Sequence, residues 1–235
     1  MTDELKTRRD LLNLAAVGGA GIVIAAANVA EADEKAKEKQ EEEVSPAEDL
    51  MREHGVLKRI LLVYGEAIRR LDGNQDLPPD PILDAAKMVR SFVEDYHEKL
   101  EEDFLFPRFR KANTLVDLVE VLTNQHQGGR KLTDITIRLA TIRSIRDGDE
   151  KRKLRDSLAQ FIRMYNPHEA REDTVLFPAF RKIVSKSEYD ALGEDFEKKE
   201  NELFGEEGFE KMVERVAGIE KSLGIYELAQ FTPRV

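Results

Sequence analysis

His97 opens the stretch HEKLEEDFLFPRFRK and His168 opens HEAREDTVLFPAFRK, identical at nine of fifteen aligned positions without a gap. A chain that repeats itself in this way folds as two copies of one supersecondary unit packed against each other. The unit is longer than the repeated string, because His54 precedes His97 by 43 residues and His126 precedes His168 by 42. Each half reads as a helical hairpin with one histidine per arm. Two such hairpins related by a pseudo-two-fold axis make a bundle.

Apolar residues recur at helical spacing throughout this region, and no run of alternating β-branched residues interrupts them. Helices are expected over about 47–71, from 82 toward Pro107, from 115 to 140, and from about 150 to Pro178 and slightly beyond. Ser45, Pro46 and Glu48 form a capping-box start for the first. Asp72-Gly73-Asn74, Asn113-Thr114 and Asp147-Gly148-Asp149 supply the joints. The expected fold is therefore all-α: an up-down four-helix bundle over residues 46–185 with additional C-terminal helices in 186–235. Those extra helices, Ser185 to Leu203 and Phe209 to Leu223, are expected to lie against the bundle or to form a partner surface.

The chain has four histidines, one in each expected bundle helix. A helix rises about 1.5 Å per residue, so roughly equal residue counts on either side of a joint return the chain to one height. By that measure His54, His97, His126 and His168 share a layer, and each lies on its helix's apolar stripe. One histidine in such a place is ordinary core packing. Four together need a common partner, since each buried imidazole must find a hydrogen bond or a ligand, and a shared metal supplies it. In both copies of the repeat a glutamate stands four residues after the histidine, Glu101 and Glu172, on the same helix face.

Two-fold symmetry sets these two glutamates opposite each other, as a dinuclear centre requires. Glu98, Glu102, Glu169 and Asp173 are expected in solvent, one residue of rotation carrying each about 100° off the inward stripe. Glu94, three residues before His97, competes for a place. The second copy has Tyr165 there, so the repeat favours Glu101 and Glu172. Tyr165 is expected in the core with its hydroxyl tied elsewhere, or else near the site. Gly128-Gly129, beside His126, signals close helix packing or a passage for a small molecule. Arg130 either pairs with a carboxylate, closes the open side of the site, or lies solvated on the bundle edge.

The chain contains no cysteine, which excludes disulfides, thiolate metal sites, iron–sulfur clusters and a cysteine nucleophile. Its formal net charge of -10 repels phosphate backbones, so nucleic acid is not an expected partner. Imidazole with carboxylate suits iron, manganese or zinc.

Arg8 and Arg9 precede an uncharged run from Leu11 to Ala30 rich in Ala, Gly and Val, the order of a signal peptide or signal anchor over residues 1–30. Thr7-Arg8-Arg9-Asp10-Leu11-Leu12 resembles the twin-arginine export signal. Cleavage after small residues such as Ala25 and Ala27, or Ala30 and Ala32, is favoured over anchoring because the run is weakly hydrophobic. Membrane association is expected only through an uncleaved leader, and the location is periplasmic or otherwise exported. Residues 31–45 are a charged spacer.

His54, His97 with Glu101, His126, and His168 with Glu172, each HxxxE followed by Leu-Phe-Pro, resemble the hemerythrin-like cation-binding (HHE) domain. The likeness runs from about Glu48 through the bundle. It implies two non-haem irons held by the four histidines and bridged by Glu101 and Glu172. Oxygen-carrying members have a fifth histidine four residues after the third; Arg130 occupies that place here. They also use an Asp five residues after the last histidine, where this chain has Asp173. With two histidines per iron, two shared carboxylates and a solvent bridge, each iron keeps one open position. That arrangement points to binding or reacting with O2, peroxide or nitric oxide rather than to simple storage. A metal-stabilised sensor or scaffold without catalysis is the alternative, and chelation separates the two.

Overall fold

The computed structural model describes residues 44–233. The leader, and the spacer as far as residue 43, lie outside the described residues. Among the described residues there are seven helices and no strand, and no helix is long and apolar enough to cross a membrane. Four long helices form the bundle. α1 is Pro46–Asp72, α2 spans residues 79–112, α3 is Val116–Leu139, and α5 spans residues 148–183. A five-residue helix absent from the sequence expectation, α4 (Ile142–Arg146), joins α3 to α5. α6 (Lys186–Phe204) and α7 (Gly208–Leu223) complete the fold, and Leu228–Phe231 makes a last 3-10 turn.

Local chemistry sets the ends. The Ser45 hydroxyl accepts the Glu48 N–H at 3.3 Å, with Pro46 at the first helical position where no amide is needed. Asp147 caps α5 through the amides of Asp149 and Glu150. Asn113 and Leu115 both take left-handed backbone angles and turn the chain from α2 into α3. The core is continuous, from Leu57, Ile60 and Tyr64 of α1 through Phe92 and Phe109 of α2 to Leu158, Phe161 and Phe180 of α5.

The second helix runs through Pro107 and ends at Ala112, just before the expected break at Asn113-Thr114. A proline inside an α-helix lacks the amide for the i−4 carbonyl, and its ring collides with that carbonyl. Pro107 follows a π-wound turn, Glu101–Leu105, and Pro178 follows another, Glu172–Leu176. The wider turn displaces the carbonyl that the ring would strike. Both turns begin at the glutamates of the repeat. α2 is also π-wound over Val89–His97, with one α turn between.

α7 packs on α1 and on the start of α2, and α6 on α7 and α1. Phe209, Val216, Ile219 and Leu223 bury the apolar stripe of α7, and Arg59 of α1 holds Glu220 with two hydrogen bonds of 3.0 and 2.5 Å.

Candidate metal centre

All six residues singled out from the sequence are buried in one layer: His54, His97, Glu101, His126, His168 and Glu172. The imidazoles form two pairs, His54 with His97 (ring centroids 4.7 Å apart) and His126 with His168 (5.1 Å). The two carboxylates lie between the pairs. Glu172 is 3.4 Å from His54 Nε2 through one oxygen and 3.0 Å from His168 Nε2 through the other. Oε2 of Glu101 is 3.4 Å from His126 Nε2 and 3.9 Å from His97 Nε2. Donor atoms of Glu101, His126, His168 and Glu172 lie within 4.8 Å of one another, as do those of His54, His97 and Glu172.

Each Nε2 faces inward because each Nδ1 is held from outside. His54 Nδ1 lies 2.7 Å from Asp173 and His97 Nδ1 2.7 Å from Glu53. His126 Nδ1 lies 3.1 Å from Glu102 and His168 Nδ1 2.9 Å from Gln125. A carboxylate or amide oxygen only accepts, so each Nδ1 carries a proton, and Nε2 is the nitrogen left to give a lone pair to a cation once any proton on it has gone. The repeat recurs in this outer layer: Asp173 and Glu102 each follow a central glutamate, and Glu53 and Gln125 each precede a histidine.

Glu102 and Asp173 are therefore not free in solvent, and Glu98 and Glu169 are fully buried. Counting rotation from the helix axis placed them wrongly. The π-wound turns change the angle per residue, and neighbouring helices supply cations for the buried pair. Lys58 reaches Glu169 at 2.9 Å, and Arg130 reaches Glu98 and Glu102 at 2.7 Å each. Each cation stands four residues after a histidine, and that spacing is the signal by which these carboxylates could have been found. Glu94 stays away from the cluster, bound to Thr133 at 2.5 Å and Arg90 at 2.8 Å. The Tyr165 hydroxyl donates to Glu98 at 2.6 Å.

The Leu-Phe-Pro following each HxxxE also has a purpose in the fold. Phe177 stacks on His54 with ring centroids 5.6 Å apart, and Phe106 on His126 at 5.5 Å. Both aromatic rings exclude water from the imidazole faces.

Electrostatics show what the cluster lacks. Burial and the nearby Glu172 push Glu101 well above the usual carboxylate range. At Glu172 burial is outweighed by His168 and His54, which hold its carboxyl below that range. Burial opposes charge on His54, yet Asp173 and Glu172 outweigh it and raise the imidazole to about 10. Burial holds His97 well below its ordinary value and lowers His126 to about 4. None of the four oxygens of Glu101 and Glu172, nor His126 Nε2, makes a hydrogen bond of acceptable geometry. Lone pairs that face one another in a buried layer without a hydrogen bond need a shared cation, a proton or a water between them, so the residues present fit a metal.

A helical bundle with buried imidazoles and carboxylates converging at mid-height defines the class of cation-binding bundle proteins. Residues 45–138 match the family described as Hemerythrin HHE cation binding domain. That span includes His54, His97, Glu101 and His126; His168 and Glu172 lie in the second copy of the repeat. Over 232 residues the chain is 46% identical to uncharacterised proteins of Mycobacterium bovis and Mycobacterium tuberculosis, covering 96% of this chain and 91% of theirs. No solved structure matches it. The chain belongs to one family with these mycobacterial proteins over nearly its whole length, and its residues 45–138 are similar to the hemerythrin HHE cation-binding domain.

Proposed function

We propose that the layer holds two metal ions, iron before manganese or zinc, and that the protein binds or reacts with a small oxidant, O2, peroxide or nitric oxide, in the cell envelope. His54 and His97 would hold one ion, His126 and His168 the other, with Glu101 and Glu172 shared. The observation that carries this reading is the position of the two carboxylates: each approaches one imidazole of each pair. Iron bound by two imidazoles and shared carboxylates supplies redox exchange at the positions its protein ligands leave open.

The remaining residues prepare the place. Asp173, Glu53, Glu102 and Gln125 fix the imidazole tautomers. Phe106 and Phe177 keep water off their faces. The Tyr165 hydroxyl keeps its proton and donates a hydrogen bond to Glu98, and Arg130 is tied to Glu98 and Glu102, so neither offers a ligand atom to the cluster. Arg130 stands where oxygen carriers of the family place a fifth imidazole, which favours reaction with the oxidant over its reversible carriage.

Elemental analysis of the protein purified from its export compartment, paired with an absorption spectrum, tests the metal. Two irons per chain with near-ultraviolet charge-transfer absorption are expected, and a single zinc overturns the reading. Reversible O2 binding without turnover of peroxide or nitric oxide overturns the preference for reactivity. Export is tested by replacing Arg8 and Arg9 with lysine, after which the protein should remain in the cytoplasm.

A further inference from the structure

The donors facing the two ions are alike in kind, but the groups behind them are not. On the His54 and His97 side both Nδ1 partners are carboxylates, each at 2.7 Å. Among the described residues no lysine or arginine forms an ion pair with Asp173. On the His126 and His168 side the contacts are longer, 3.1 and 2.9 Å, and only one partner is a carboxylate. That carboxylate, Glu102, is shared with Arg130 at 2.7 Å and Lys99 at 2.5 Å. The other partner is the neutral amide of Gln125.

The differences come from single positions of the repeat. Gln125 stands where the first half has Glu53, and Ala170 stands where the second copy would repeat Lys99. Lys58, the counterpart of Arg130, turns to Glu169 and Asn166 and leaves Asp173 to His54 alone.

A carboxylate that accepts the Nδ1 proton makes its imidazole a stronger donor to a metal, and each such partner is worth roughly 10–100-fold in metal affinity. A carboxylate already engaged by two cations gives less, and an amide less again. We infer that the two metal positions are unequal: the ion at His54 and His97 is bound first and more tightly, and the ion at His126 and His168 is the exchangeable one. This rests on the two-ion reading above. A centre built this way passes through a one-metal state during loading, and it admits two different metals.

Titration of the metal-free full chain with cobalt(II), followed by its visible absorption and by competition with a chelator, tests the inference. Two equivalents should bind in two steps separated at least tenfold. His168→Gln should retain the tight step and His97→Gln should lose it. Gln125→Glu should tighten the weak step and leave the tight one in place, a gain that misfolding cannot produce. Asp173→Asn should draw the two steps together. Two equivalents binding in one step, or a tight step lost in His168→Gln and kept in His97→Gln, overturns the inequality and leaves the two-ion reading intact. Fewer than two equivalents at millimolar cobalt overturns the two-ion reading itself.

Discussion

The hydroxyl of Tyr165 lies on the backbone of Gly129, where a Cβ added to the glycine would overlap it. The neighbouring Gly128 faces only Met164 Sδ, 3.6 Å from an added Cβ, which is ordinary contact. Gly129→Ala should therefore destabilise the protein by about 1–3 kcal/mol through overpacking, outweighing alanine's helix advantage of about 1 kcal/mol. Gly128→Ala should stabilise it by up to about 1 kcal/mol. Denaturant unfolding compares them, and Tyr165→Phe should relieve much of the Gly129→Ala loss. Equal gains from both alanines would show that the close approach is absent.

Glu101 gives a pH dependence of known sign. Its carboxyl is held well above its ordinary 4.5 by burial and Glu172. A group raised on folding contributes stability that is present below its unfolded value and lost as pH rises through its folded one. Metal-free Glu101→Gln should therefore gain on the wild type as pH increases from 4.5, at up to about 1.4 kcal/mol per pH unit. With metal present the order should reverse, because on the two-ion reading Glu101 would be a shared ligand. Thermal melts across pH, with and without cobalt, check both signs.

Removing the metal should leave a helical protein. The hydrophobic core is continuous through the bundle and includes Leu57, Ile60, Tyr64, Phe109 and Phe180. Chelation should keep the far-ultraviolet signal and lower the melting temperature. Metal at a hundred times its Kd should restore about 2.7 kcal/mol. Loss of helix on chelation would instead support the scaffold alternative.

Arg59 should matter more than a surface arginine. It is the bidentate partner of Glu220, which is 5% exposed, and it also donates to the Val213 carbonyl at 3.4 Å. Arg59→Ala strands that carboxylate and should cost about 3 kcal/mol, with α7 loosened first. Hydrogen exchange at Phe209, Val216 and Ile219 reads that loosening, and uniform exchange across all helices would contradict it.

Helical periodicity and the repeat made the bundle legible, and one histidine per helix at matched heights made the six central residues legible as a group. The outer carboxylates were not, because a fixed 100° per residue fails where the winding widens at Glu101 and Glu172. Burial of Glu98 and Glu169 depends on cations from other helices, Arg130 and Lys58, which a reading of one helix at a time does not pair. Glycine at 129 was legible as a close approach, but its partner, Tyr165 from α5, was not.

The acceptor that steadies His54 comes from α5, and the one that steadies His126 comes from α2. Cut the chain between Asn113 and Leu115, and each fragment keeps two imidazoles but loses the tether of one to the other fragment. Neither piece contains a finished socket for even a single ion. On the two-ion reading, capture of an ion would therefore wait until both hairpins have docked, and assembly of the whole bundle would be the gate to metallation.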